Sequence, residues 1–412
     1  MKHIVILCDG MSDLPCDELG GKTPMTVAVK PNMNLLAATG ETGLARTVPD
    51  TLPPGSDVAN LSVLGYEPER HYTGRSPLEA ASMGIELEPG DIAVRCNLVT
   101  LSNEPEFGDK TMLDYCGGDI KTSQAAEIIE LVNRELKSET FAFYPGIDYR
   151  HCLVWKGGST GLNLTPPHDI IGQKIADYVR ANVNVNDNSR PLLELMEKSS
   201  ALLAGKKANC IWLWGEGGKA ELPSFKDKFG LNASMISAVD LLKGIGKLAN
   251  MEVLDVKGAT GYIDTNFVGK ARAAVDSLRG GMDLAYIHIE APDECGHRGE
   301  VANKVKSIEL IDELVLGTIL KAFEAGEIGS AGEIGSERLK IMIAPDHPTP
   351  LSLKTHTREP VPFLIWDSGL SAQSQSQGAG VGVFDEKTAA GTGVYVAKGH
   401  QLMERFICKS KS

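Results

Sequence analysis

The chain has 412 residues and a formal net charge of −13. That length is more than one core fills, which predicts two domains, and the acidic balance argues against non-specific binding to nucleic acid or an anionic membrane. Apolar content is that of an ordinary soluble protein, no stretch is long and apolar enough to span a bilayer, and the eight scattered cysteines, with no Cys-x-x-Cys, read as reduced thiols of a cytoplasmic protein.

Residues 3–8 form a predicted buried strand with no cleavable signal before it. Asp9-Gly10 stands at the carboxyl end of this strand, where open α/β sheets bind ligands. Pro31 to Thr39 predicts a helix, with Pro31 near its start and Gly40 past its end. Pro53-Pro54-Gly55 is a loop, and Ser56 to Leu64 carries apolar residues at helical spacing.

Near residue 90 the texture changes. The pattern predicts a strand over Ile92 to Leu101, an amphipathic helix over Thr122 to Leu136, and paired strands Phe141 to Tyr144 and Cys152 to Trp155. A loop from Leu162 to Ile171 precedes helices over Ile175 to Val183 and Leu192 to Leu203. Residues 89–204 are therefore expected to form an inserted α+β domain, and 1–88 with 205–412 a discontinuous core.

The core continues with a strand at Asn209 to Trp214, a helix over Met235 to Leu248 and a strand at Met251 to Val256. A helix over Phe267 to Leu278, a strand at Leu284 to Ile289, a long helix over Val301 to Phe323 and a strand at Leu339 to Ala344 follow. Strands alternating with helices predict an α/β fold with a mostly parallel sheet. The repeat of Ala-Gly-Glu-Ile-Gly-Ser at Ala325 and Ala331 is too short for a solenoid and reads as a surface loop.

Chemistry concentrates behind three apolar runs. Asp9 ends the first, Asp293 and His297 follow the run at 284–289, and Asp346-His347 follow the run at 339–344. Carboxylate plus imidazole is a ligand mix for Zn, Mn or a similar divalent ion. Asp293 and His297 share a face if their segment is helical, although Gly296 leaves a loop equally open. His356 is a further candidate and His400 a weaker one. Alone, Asp9 reads as a turn cap and Ser56 as a helix N-cap. Together the sites suggest a two-metal centre for phosphoryl chemistry, with Ser56 as nucleophile and the Asp57 and Val58 amides free for an anion.

A phosphorylated acid needs bidentate donors. Arg75, Arg95, Arg150 and His151 are the candidates, and Arg95 stands out because it interrupts a strand-like run. Lys257-Gly-Ala-Thr-Gly reads first as a turn.

Six stretches carry a resemblance that covers nearly the whole chain: Ile6-Leu-Cys-Asp-Gly-Met, Pro54-Gly-Ser-Asp-Val-Ala-Asn-Leu-Ser-Val-Leu-Gly-Tyr, Thr73-Gly-Arg-Ser-Pro-Leu-Glu-Ala, Gly258-Ala-Thr-Gly, Glu290-Ala-Pro-Asp-Glu-Cys-Gly-His and Ala344-Pro-Asp-His-Pro-Thr-Pro. In this order they resemble the archaeal-type, 2,3-bisphosphoglycerate-independent phosphoglycerate mutases of the alkaline phosphatase superfamily. The resemblance implies a phosphatase-like α/β core with a hinged, inserted substrate-binding domain. It implies two divalent ions, Mn first with Zn or Mg as alternatives, and no 2,3-bisphosphoglycerate. Asp9, Ser56, Asp346 and His347 match the ligands of one ion, and Asp293, His297 and His356 those of the other. Ser56 matches a transiently phosphorylated serine that interconverts 3- and 2-phosphoglycerate, a step of glycolysis and gluconeogenesis, while water is kept out. The implied partner is a small phosphorylated hydroxy acid. Asp119 stands where relatives tend to carry a basic residue, which keeps homoserine phosphorylation as a second expectation; a metal-dependent phosphatase is a third.

Overall fold

The computed structural model describes residues 1–162, 164–179, 187–328, 338–369 and 380–408. Its strands are β1 (Lys2–Cys8), β2 (Glu41–Ala45), β3 (Ile92–Leu101), β4 (Met112–Asp114), β5 (Phe141–Tyr144), β6 (Arg150–Trp155), β7 (Cys210–Gly218), β8 (Ala233–Ile236), β9 (Glu252–Leu254), β10 (Leu284–Ile289), β11 (Leu339–Ala344), β12 (Val361–Asp367) and β13 (Tyr395–Val396). The chain divides into two compact units, one formed by Met1–Tyr72 with Leu222–Ser412, the other by Thr73–Glu221.

The larger unit is built on an eight-stranded sheet in the order β13-β2-β12-β11-β1-β10-β8-β9. From β11 to β9 every pairing is parallel, and only β12 runs antiparallel to both its neighbours. Parallel strands covered on both faces read as unbroken apolar runs, and β1, β10 and β11 do so. The helices Phe267–Arg279, Pro31–Thr39 and Asp240–Leu248 pack on β10, β12 and β8. Register brings Cys8 beside Ile289 and Leu7 beside Ala344, so the three central strands end level with one another. The segments after them hold the candidate ligands.

Two expectations in this unit need correction. The helix expected over Met235–Leu248 begins at Asp240, and its first residues belong to β8, which pairs with β10 and β9. Four consecutive buried residues carry no periodicity to separate strand from helix. The long helix after Val301 is present but passes through a π-helical segment, Ile311–Leu316. The Asp312 carboxylate there accepts the Met33 and Asn32 amides at 2.7 and 3.2 Å. It thereby satisfies donors at the start of the Pro31–Thr39 helix, whose own N-cap, Lys30, makes no side-chain cap.

The smaller unit is a five-stranded sheet in the order β4-β3-β6-β5, with β7 also paired to β3. It extends beyond the expected 89–204 at both ends for identifiable reasons. The Ser76–Ser82 helix buries Ala80 with Ala93, Cys152 and Val154. The strand assigned to the core at Asn209–Trp214 is β7, which pairs antiparallel along β3. The helices Thr122–Leu136 and Arg190–Leu202 cover the sheet with Ile129, Val132, Leu192 and Met196. The expected helix Ile175–Val183 runs into residues outside those described, as does most of the 325–336 repeat. Among the described residues no helix is long and apolar enough to cross a membrane.

Candidate metal centre

Three strand ends and one helix start build this site within the larger unit. Asp9 leaves β1 and Asp346-His347 leave β11. Ser56 is the first residue of the Ser56–Val63 helix, whose N-cap is Gly55. The segment after β10 turns into a helix, Ala291–Arg298, so Asp293 and His297 share a face. His356 comes from the loop between β11 and β12.

Six of the seven ligand candidates gather as two triads, and the seventh, Ser56, touches the first. Asp9, Asp346 and His347 place one ligand atom each within 4.8 Å of one another, and so do Asp293, His297 and His356. His347 Nε2 is 3.5 Å from Asp9 Oδ1, 3.4 Å from Asp346 Oδ2 and 3.0 Å from the Ser56 hydroxyl. In the second triad His297 Nε2 is 3.3 Å from Asp293 Oδ2 and 2.9 Å from His356 Nε2.

Hydrogen bonds set which imidazole nitrogens look inward. The Thr349 hydroxyl donates to Asp293 Oδ1 and so accepts from His347 Nδ1 at 3.3 Å, leaving His347 Nε2 with its lone pair. One hydroxyl thus links the two triads. His297 Nδ1 donates to the Lys354 carbonyl at 3.0 Å, which turns its Nε2 toward Asp293. Asn60, one helical turn beyond Ser56, donates to the Ser56 carbonyl at 2.9 Å and to Asp346 Oδ2 at 2.8 Å, and its own carbonyl accepts the Tyr286 hydroxyl at 3.0 Å. Gly10 has φ +60, and a Cβ there would lie 2.6 Å from Asp293. Glycine is what lets β1 turn this close to the second triad.

The electrostatics are those of an anionic pocket. Burial, and after it the carboxylates of Asp346, Asp293 and Glu290, push Asp9 well above the usual carboxylate range. Burial acts in the same direction on Asp293, but hydrogen bonds from His297 and His356 and the charge of His347 outweigh it and hold the group well below that range. The bond to Asp293 raises His297 to about 9, whereas burial lowers His347. Asp9 Oδ1 is buried without a hydrogen-bond partner. Crowded carboxylates, a bare oxygen and converging imidazole nitrogens are a donor set that fits divalent cations.

Part of the anion-site expectation is corrected. Asp57 Oδ1 accepts the Val58 amide at 2.9 Å, so that donor is engaged locally. His400 belongs to neither triad and lines a cavity of about 270 Å³ with Arg46, Asp50, Glu69 and Lys398.

In the smaller unit Glu79 collects guanidinium groups, Arg75 Nε at 2.9 Å and Arg95 Nε at 3.1 Å. Arg95 stacks on Trp214 at 4.1 Å, and Arg150 lies over Tyr149 at 5.2 Å. Burial opposes ionisation of Glu79, but Arg95, Arg75 and then Arg150 hold its carboxyl below the usual range. β3 and β6 explain the grouping: Asn97 pairs with Arg150 and Arg95 with Cys152, so Arg95 and Arg150 share a face of the sheet. His151 is one residue on and faces the other side. It is buried, its Nδ1 accepts the Gly146 amide at 3.0 Å, and burial drives it down to about 3. The alternation therefore puts His151 on the face opposite Arg95 and Arg150. Asp119 is exposed in a turn at φ +56.

Asn60, Thr349, His288 and Lys304 were not foreseen. Only Asn60 had a signal, its spacing of four from Ser56; the others act on partners remote in the chain.

A family model described as 2,3-bisphosphoglycerate-independent phosphoglycerate mutase matches residues 37–209. A probable 2,3-bisphosphoglycerate-independent phosphoglycerate mutase of Geobacter sulfurreducens is 47% identical over 419 aligned residues, covering 99% of this chain and 100% of that protein. The solved PH0037 protein from Pyrococcus horikoshii superposes with a TM-score of 0.74 at 25% identity, over 100% of this chain and 99% of its own. The cofactor-independent phosphoglycerate mutase from Thermoplasma acidophilum shares the fold, with a TM-score of 0.62 at 24% identity over 99% of both chains. Identity of this extent along the full length places the chain in the family of 2,3-bisphosphoglycerate-independent phosphoglycerate mutases.

Proposed function

We propose that this protein is an isomerase that interconverts 3-phosphoglycerate and 2-phosphoglycerate through a phosphoserine at Ser56. The observation that carries this reading is the Ser56 hydroxyl, 3.0 Å from His347 in one of two joined triads. Asp9, Ser56, Asp346 and His347 would hold one divalent ion, and Asp293, His297 and His356 the other. Bound there, the ions would acidify the serine hydroxyl and neutralise charge on the phosphoryl oxygens. Imidazole-rich sets of this kind favour Mn or Zn over Mg.

Ser56 Oγ attacks phosphorus as the bond to the 3-oxygen of glycerate breaks, and the serine proton ends on the released hydroxyl. After the glycerate reorients, its 2-hydroxyl attacks the phosphoserine, and the proton of that hydroxyl returns to Ser56. Asn60 holds the Ser56 carbonyl and so fixes the start of the helix that aims the nucleophile. Arg75, Arg95 and Arg150 recognise the anionic groups of the substrate, with Glu79 keeping two guanidinium planes in place. A cytoplasmic location accords with eight free cysteines.

The test is ³¹P NMR of purified protein with Mn²⁺ and 3-phosphoglycerate, without 2,3-bisphosphoglycerate. Formation of 2-phosphoglycerate is expected, together with a trapped phosphoryl group on Ser56 by mass spectrometry. Ser56→Ala should lose on the order of 10⁴–10⁶ in rate, as for other nucleophiles removed outright. Chelation should abolish turnover and Mn²⁺ restore it. Net release of inorganic phosphate, or wild-type turnover in Ser56→Ala, would reject the reading.

A further inference from the structure

We propose that Ser237 and His288 form a proton-ordered strut that decides which oxygen of Asp9 faces the cation. The inference rests on the metal-centre reading above and assigns two positioning residues to it.

His288 lies on β10 beside Leu7 of β1 and is fully buried. The Ser237 hydroxyl oxygen accepts the Val239 amide at 3.0 Å. Its own hydrogen is therefore free to donate to His288 Nδ1, 3.0 Å away. An imidazole that accepts at Nδ1 carries its hydrogen on Nε2. That Nε2–H donates to Asp9 Oδ2 at 2.8 Å. Lys270 Nζ donates to the His288 carbonyl at 3.0 Å and fixes the backbone of the same residue.

Every bond in this chain has one direction, from serine to imidazole to carboxylate. Its effect is asymmetric. Asp9 Oδ2 accepts from His288, while Oδ1 is buried with no hydrogen-bond partner and points toward His347. A carboxylate held in that way is a one-oxygen ligand of defined direction. Freed of the strut, Asp9 could rotate about its terminal torsion, which is broad and roughly two-fold, and offer either oxygen or both. Outer hydrogen bonds of this kind are worth about 10–100-fold in metal affinity.

Three full-chain variants test it. His288→Gln carries an N–H donor at the depth of Nε2, His288→Leu fills the space without one, and Ser237→Ala removes the group that sets the tautomer. The readouts are Mn²⁺ titration of metal-stripped protein and ¹⁵N shifts of the His288 ring. We expect His288→Leu to weaken one of two Mn²⁺ sites by about 10–100-fold with the other little changed, and His288→Gln to recover most of that loss. In Ser237→Ala the ring should populate both tautomers and the same site should weaken. Wild-type affinity in His288→Leu, or equal losses in Gln and Leu, would overturn the inference. So would a Ser237→Ala protein with unchanged ring shifts and affinity, which also decides the matter if the Leu variant does not fold. A wild-type protein that binds no Mn²⁺ would instead reject the metal-centre reading itself.

Discussion

Replacing Lys304 by methionine should destabilise the larger unit by about 3–5 kcal/mol, the usual cost of removing one partner of a buried ion pair. The ammonium is 0% exposed and the Asp13 side chain 1%, with Nζ to Oδ2 at 2.7 Å. Lys304 also donates to the Thr349 carbonyl at 2.7 Å. Methionine keeps the unbranched stem, so packing loss is small and the electrostatic change dominates. Asp13 would retain backbone donors, Leu14 at 2.8 Å and Leu351 at 3.2 Å, which argues for the lower half of the range. The released Thr349 carbonyl adds about 1 kcal/mol. The assay is urea denaturation followed by circular dichroism, with the slope checked for constancy. Adding Asp13→Leu to the variant should return part of the loss, because a neutral apolar pair strands no charge. A Lys304→Met protein within 1 kcal/mol of wild type, or a double variant weaker by the sum of two large single effects, would refute the argument.

Asn60→Leu should cost about 1–3 kcal/mol, since Tyr286 and the Ser56 carbonyl lose buried partners, and turnover should fall further than stability alone accounts for; denaturation and rate measurements on the same sample decide this. Arg95→Gln, with the Trp214 stack lost, should raise KM for 3-phosphoglycerate by about 10–100-fold, equivalent to one charged hydrogen bond, and an unchanged KM would remove Arg95 from substrate recognition. Burial holds His3 near 4 against an ordinary 6.5. Between those values the unfolded chain binds a proton that the folded one refuses, so stability falls as pH drops from about 6.5 to 4, by about 3 kcal/mol in all. His3→Phe, which keeps the edge contact to Phe406, should flatten that part of the stability profile relative to wild type, and identical profiles would contradict the assignment.

Legibility in the sequence followed burial pattern. β1, β10 and β11 could be read directly, because each is an apolar run closed by Asp, Glu or Pro, and β3 because it alternates like a strand. The candidate ligands could be read for the same reason, since they stand just behind such runs. β8 was misread because four buried residues have no period. β2 and β12 passed unnoticed, one containing Gly43 and the other Pro362, residues that ordinarily weaken a strand prediction. Separating His151 from Arg150 needed only the two-residue alternation of β6. What no local pattern contains is the outer layer of the site. Thr349 to Asp293, His288 to Asp9 and Lys304 to Asp13 join residues 56, 279 and 291 positions apart. Those pairs exist only once the sheet order is known.

The central position of β1 has a consequence for synthesis. β1 is hydrogen-bonded on one side to β10 and on the other to β11, and both are made more than 270 residues after it. Until then five consecutive apolar residues, Ile4 to Cys8, wait with both edges unpaired, a template for association with other chains. The 73–221 unit, whose strands pair among themselves, is complete long before that. Nascent chains should accordingly depend on a holdase in the interval, and truncations before Ala344 should aggregate through β1 even with the smaller unit intact.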